Sequence, residues 1–204
     1  MSTNKQKAYW FGGYALPNGD GRKVEVGITH TVEPPIVPCN RGLHASVHPA
    51  DALTYATTAT LWLVDLGGEV VEECDKITAS ERTYLACIDA TDLLREHALW
   101  CASQVLRLCD APDIVRQYIA TGDESMRAAA RAAWAARAAW AATGEAASDA
   151  RAARTAAAAS AARAAASADA GEDAWGNAWR RARNAQRNHL LTLVESEFAK
   201  LTKE

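Results

Sequence analysis

The sequence predicts an α+β protein, with a small antiparallel-sheet N-terminal domain followed by an alanine-rich α-helical bundle. Three observations carry that prediction. Residues 1–88 hold short aromatic or alternating apolar stretches punctuated by Gly and Pro, the pattern of strands and turns. From Thr91 the apolar residues fall instead at helical spacing. Finally, 27 of the 44 residues from 127 to 170 are alanine, the strongest helix former. The expected division is an α+β head domain at 1–88, a helical connector at 89–124 and an alanine-rich helical platform at 125–204.

Each element follows in chain order. Residues 7–38 read as short strands and turns: "AYWFGGYAL" (8–16) is aromatic and apolar, and "PNGDG" (17–21) is a turn with two glycines available for positive φ. "RKVEVGITHTV" (22–32) alternates through Val24, Val26, Ile28, His30 and Val32, which predicts a half-buried strand. A proline-rich loop (33–42) leads to a short strand, "LHAS", and then to a helical turn or two in "PADALTYA", where Pro49 suits the first helical position. "TLWLVDL" (60–66) is the clearest strand, ended by Gly67-Gly68 with "EVVEE" continuing beyond it, and "ERTYLACIDA" (81–90) is another. Thr91 is the expected N-cap of a helix over 91–108, and 111–120 gives a second helix stopped by "TGD". Breaks at Thr143-Gly144 and Gly171 divide the remainder into helices over 125–142, 145–170 and 172–201.

Composition excludes several classes. The longest uncharged run, Ala52–Val64, has 13 residues, whereas a membrane span needs about 20, so a soluble, cytoplasmic protein is expected. Five cysteines without metal-type spacing read as reduced thiols, and no metal site is expected. No P-loop, dinucleotide glycine motif or G-x-S-x-G is present, and no catalytic constellation emerges. His44 and His48 lie four apart with Asp51 near, but the simplest reading is that His44 is satisfied by backbone. Asp75-Lys76 and Glu81-Arg82 read as surface pairs. The net charge of −3 hides an asymmetry: residues 1–124 carry 10 basic and 17 acidic side chains, and residues 125–204 carry 12 and 8.

Alanine helices bury little area but allow close approach, so the platform should pack tightly against large neighbours. Trp134 and Trp140, on a period-three repeat with Arg131 and Arg137, would point about 120° apart and so serve two neighbouring helices. Trp175 and Trp179 lead into Leu190, Val194, Phe198 and Leu201 on the last helix. The alanine faces would close within one chain or between two copies as a homodimer. "WRRARNAQRN" (179–188) is the strongest basic patch. Its Arg180, Arg181, Arg183 and Arg187 are the candidate partner-binding residues, for another protein or for nucleic acid.

The stretches "PCNRGLHASVHPADALTYA" (38–56) and "GGEVVEECDKITASERTYLACID" (67–89) resemble a domain of unknown function common in phage and prophage proteins. In such proteins an alanine- and tryptophan-rich tail often ends in a helix similar to "NAQRNHLLTLVES" (184–196). The resemblance implies a phage- or prophage-encoded accessory protein that acts by binding a macromolecule, with inhibition of a host defence system as a setting. It brings no cofactor. "GLHASVHPADALTYA" (42–56) also looks like the strand-then-helix segment of ADP-ribosyltransferase folds. That likeness implies, as the alternative, an enzyme or nucleotide-binding domain that uses NAD, with a ligand pocket at His44, Ser46, Tyr55 and Glu69. The first strand, "YWFGG" (9–13), lacks the Arg or His such transferases use, so binding without catalysis is the leading expectation.

Overall fold

The computed structural model describes residues 5–106, 111–135 and 172–201. It is α+β, as the sequence predicts. The strands are β1 (Gln6–Phe11), β2 (Thr29–Thr31), β3 (Leu43–Ala45), β4 (Thr60–Glu72) and β5 (Ile77–Asp89). The described helices are α1 (Pro49–Ala52), α2 (Thr91–Leu106), α3 (Asp113–Thr121), α4 (Glu124–Ala135) and α5 (Glu172–Leu201). The part of the helix expected over 125–142 that follows Ala135, with Trp140, and the whole of that expected over 145–170 lie outside the described residues, as do the side chains of Trp134, Trp175 and Trp179.

The described residues form two compact units, one of 5–91 with 190–201 and the other within 92–189. In the first, every strand pairing is antiparallel, in the order β1-β4-β5-β2. β5 is 13 residues long and takes two short strands along one edge: β2 against 81–83 and β3 against 77–79. The sheet then curls back on itself. Ser46, one residue past β3, exchanges two backbone hydrogen bonds with Tyr9 of β1, at 2.8 and 2.9 Å. This closes β1, β4, β5 and β3 into a small ring around Ala8, Leu43, Ala45, Trp62, Val64 and Tyr84. Closure leaves no long unpaired strand edge between β1 and β3.

Three strand and cap expectations need correction. The strand expected over 22–32 survives as Thr29–Thr31, because Gly27 adopts φ 88° and turns the chain away from the sheet. β4 does not end at Gly67-Gly68 but runs on to Glu72, the glycines being absorbed as a bulge with Gly68 at φ 71°. The first turn of α2 is held by Asp89, whose Oδ1 accepts from the Thr91 amide at 2.9 Å and from the Thr91 hydroxyl at 2.6 Å. Thr91 is thus the capped residue, not the cap.

α5 is helical throughout its described residues, within the helix expected over about 172–201. In the first unit its buried Leu190, Val194 and Phe198 recur every four residues, and Phe198 meets the ring of Tyr9 at 6.4 Å. In the second unit α3 ends at Gly122, whose left-handed conformation (φ 66°) lets its amide reach the Tyr118 carbonyl at 2.8 Å. Ala111, Val115 and Ala130 form a small core between α3 and α4. Arg95 of α2 bonds Asp92 at 2.6 Å and Glu124 of α4 at 2.9 Å. Further along α2, His97 Nδ1 lies 3.0 Å from His189 Nδ1, with Trp100 stacked on His189 at 4.1 Å.

Candidate functional site: an aromatic pocket at the strand seam

The seam between β1 and β3 opens into a cavity of about 250 Å³. β1 supplies Tyr9, Trp10 and Phe11, and the β3 segment supplies His44, Ala45 and Ser46. Ala52 and Tyr55 come from α1 and the single 3-10 turn that follows it, while Cys39 and Lys76 stand in the loops at either side. Three of the four residues expected to form a ligand pocket, His44, Ser46 and Tyr55, therefore meet at one place. Glu69 does not. It sits in the β4 bulge, where its Oε1 accepts from the Ile36 amide at 3.3 Å and its own amide donates to Ser80 Oγ at 2.9 Å.

Each polar member is held in a defined state. His44 Nε2 accepts from the Cys39 amide at 3.1 Å, so the proton of the neutral ring belongs on Nδ1. Burial, then the charges of Lys76 and Arg82, hold the His44 imidazole below the usual range for protonation. His48 Nδ1 accepts from the Ala50 amide at 3.1 Å and so caps α1. The Tyr55 hydroxyl donates to Asp75 Oδ2 at 2.6 Å, and that bond, followed by burial, pushes its pKa up to about 12. Lys76 is held as an ammonium above its usual range by its bonds to Cys39 and Glu73. Its Nζ lies 2.7 Å from Cys39 Sγ, 3.1 Å from Glu73 Oε2 and 5.4 Å from the centre of the Tyr55 ring.

Asp75-Lys76 is thus no ion pair: the aspartate serves Tyr55, and the lysine turns to Glu73 and Cys39. The reading of Glu81-Arg82 as a surface pair also needs correction. Period two along β5 sends Arg82 inward beside Ser80 and Tyr84, and only 2% of it is exposed. Its guanidinium stacks on Trp10 at 4.1 Å and donates to the His44 carbonyl at 2.6 Å. Two further N–H bonds go to the Tyr84 hydroxyl, at 3.1 and 2.8 Å. With its oxygen accepting from Arg82, that hydroxyl donates onward to His30 Nδ1 at 3.0 Å. Burial depresses the protonation of both Arg82 and His30.

Arg82 is the residue that sequence reasoning missed. It braces the pocket from within the ring, fixing Trp10 by its face and β3 by a carbonyl. The signal was available in the alternation Ser80, Arg82, Tyr84 against Glu81, Thr83, Leu85. What hid it was the rule that arginines are seldom buried.

The four arginines of the basic patch lie elsewhere, on α5 within the second unit. Arg180 and Arg181 are exposed, and Arg183 and Arg187 are partly so. At about 100° per residue, Arg180, Arg183 and Arg187 share one face and Arg181 stands a quarter-turn away. No described helix is long and apolar enough to cross a membrane.

Comparison with curated proteins and with solved structures found no match. A family described as "Domain of unknown function (DUF7666)" matches residues 19–96, a span that holds every pocket residue except Tyr9, Trp10 and Phe11 of β1.

Proposed function

We propose that the chain is a binding protein whose sheet domain takes a flat, ring-shaped group into the pocket at the β1–β3 seam. The observation that carries this reading is the composition of that pocket. Tyr9, Trp10, Phe11 and Tyr55 make its lining largely aromatic, and His44, Ser46 and Lys76 are its polar members. Pockets that orient a small ligand combine apolar walls with a few convergent polar groups. The volume of about 250 Å³ lies just below the range of about 300–1,000 Å³ typical of drug-sized ligands. One heteroaromatic ring, such as nicotinamide or a nucleobase, is the right size, and a whole dinucleotide is not.

Binding is favoured over transferase chemistry because the described lining residues include no carboxylate. Glu69, the acid an ADP-ribosyltransferase reading would use, is committed to the Ile36 amide. Calorimetric titration with nicotinamide, adenine and NAD tests the reading. Saturable binding of a single-ring ligand is expected, weakened at least about tenfold, or 1.4 kcal/mol, by Tyr55→Ala. Release of nicotinamide from NAD would instead establish catalysis.

A second reading has its own observation: the exposed Arg180 and Arg181 beside Arg183 and Arg187 on one continuous helix. They suit an acidic surface on a host protein or a nucleic-acid backbone, as an anti-defence accessory protein of phage or prophage would require. Glutamate at Arg180 and Arg181 should abolish capture of such a partner and leave ring binding at the pocket intact.

A further inference from the structure

Cys39 and Lys76 stand 2.7 Å apart, sulfur to nitrogen. Two other sulfur contacts are looser: Cys74 Sγ to Asp75 Oδ1 is 3.9 Å, and Cys101 Sγ to His97 Nε2 is 3.6 Å. The approach is built in from both sides. Cys39 sits in the left-handed backbone region, at φ 63°, with its amide tied to His44. Lys76 is held by Glu73 and lies over the Tyr55 ring, with only 14% of its side chain exposed. Cys39 itself is exposed, so an oxidant in solution reaches the sulfur.

We propose that Cys39 and Lys76 form a reversible covalent bridge when the protein meets a peroxide, making the pocket rim a redox-sensitive site. In the first step the Cys39 sulfur attacks the peroxide O–O bond. The thiol becomes a sulfenic acid, S–OH, and for hydrogen peroxide the other oxygen leaves as water. The sulfur is oxidised by two electrons and the peroxide is reduced by two. The Lys76 ammonium then loses one proton to solvent, which frees the amine lone pair. That lone pair attacks sulfur. An S–N bond forms, the S–O bond breaks, and the hydroxyl leaves with an amine proton as a second water. Sulfenic acids condense with backbone nitrogen in this way, and here a side-chain amine is already in place. A small thiol reverses the bridge by attacking sulfur, which returns the free amine and leaves a mixed disulfide that a second thiol reduces. The bridge would replace the ammonium at the pocket mouth with a neutral tether between two loops. Its formation does not depend on what the pocket binds.

The test is peptide mass spectrometry of the full chain after brief treatment with dilute hydrogen peroxide, using a protease that cuts at acidic residues. The expected product is a cross-linked pair, one peptide holding Cys39 and the other Lys76. Its mass should equal their sum less two hydrogens, and a thiol reductant should abolish it. Lys76→Arg keeps the positive charge and should eliminate the cross-link, leaving Cys39 to proceed to sulfinic acid. The proposal is overturned if Cys39 of the unaltered protein appears as sulfinic acid, or in a disulfide with Cys74, while Lys76 remains free. A cross-link that persists in Lys76→Arg overturns it equally.

Discussion

At the scale of single residues, the most consequential group is a buried arginine with no carboxylate among its bonds. Arg82 is 2% exposed, and its charge is carried by the Tyr84 hydroxyl, the His44 carbonyl and the face of Trp10. A buried charge that loses an acceptor is costlier than one removed altogether. Tyr84→Phe, which takes away one oxygen, should therefore destabilise the protein by about 3 kcal/mol. Arg82→Met, which removes the charge and keeps most of the bulk, should cost less, and adding it to Tyr84→Phe should recover part of the loss. Chemical denaturation of the two single variants and the double variant measures this. If Arg82→Met proves the more damaging single change, the guanidinium is not held through Tyr84 as described.

At the scale of elements, the bulge in β4 decides how the long hairpin with β5 is built. A Cβ on Gly68 would stand 2.0 Å from Ser80 Oγ, at a backbone φ of 71°. Gly68→Ala should therefore cost about 2 kcal/mol or more in unfolding free energy, and a neutral result would show that the bulge rearranges freely. This element also shows the limit of reading strands from sequence. Two glycines look like a stop, and although "EVVEE" continues beyond them, nothing local shows that a bulge lets it stay in the same strand. Conversely, β3, the turns of α1 and the helical character of α5 were legible, because alternation, Pro49 and the four-residue spacing of Leu190, Val194 and Phe198 are local signals. The pocket was legible in part for the same reason. His44, Ser46 and Tyr55 lie within one twelve-residue segment, whereas the aromatic wall comes from β1 through a ring closure that no local pattern encodes. Cys39 and Lys76 are 37 residues apart and likewise meet through the fold.

Across the whole molecule, the histidines set a common response to acid. His30, His44 and His189 are all held below the usual 6.5, chiefly by burial, and they occur in both units. The unfolded chain protonates them near 6.5 and the folded chain at lower pH, so between those values the unfolded state binds more protons. Stability is therefore full above about pH 6.5 and is lost as pH falls through the lowered folded values. The His97–His189 pair acts in the same direction. Of two nitrogens 3.0 Å apart one must remain an acceptor, and full protonation would set two N–H groups against each other. Denaturant midpoints should fall steadily from about pH 7 to about pH 5, and a flat or rising profile would contradict this assignment.

The pocket is the centre of the functional account, and amide and indole chemical-shift mapping by NMR during titration with nicotinamide or adenine tests it most directly. The account predicts saturable shifts concentrated at Tyr9, Trp10, His44, Ser46 and Tyr55, including the indole N–H of Trp10. Shifts that never saturate, or that fall instead on residues 180–187 of α5, would contradict it and place recognition on the arginine-bearing helix.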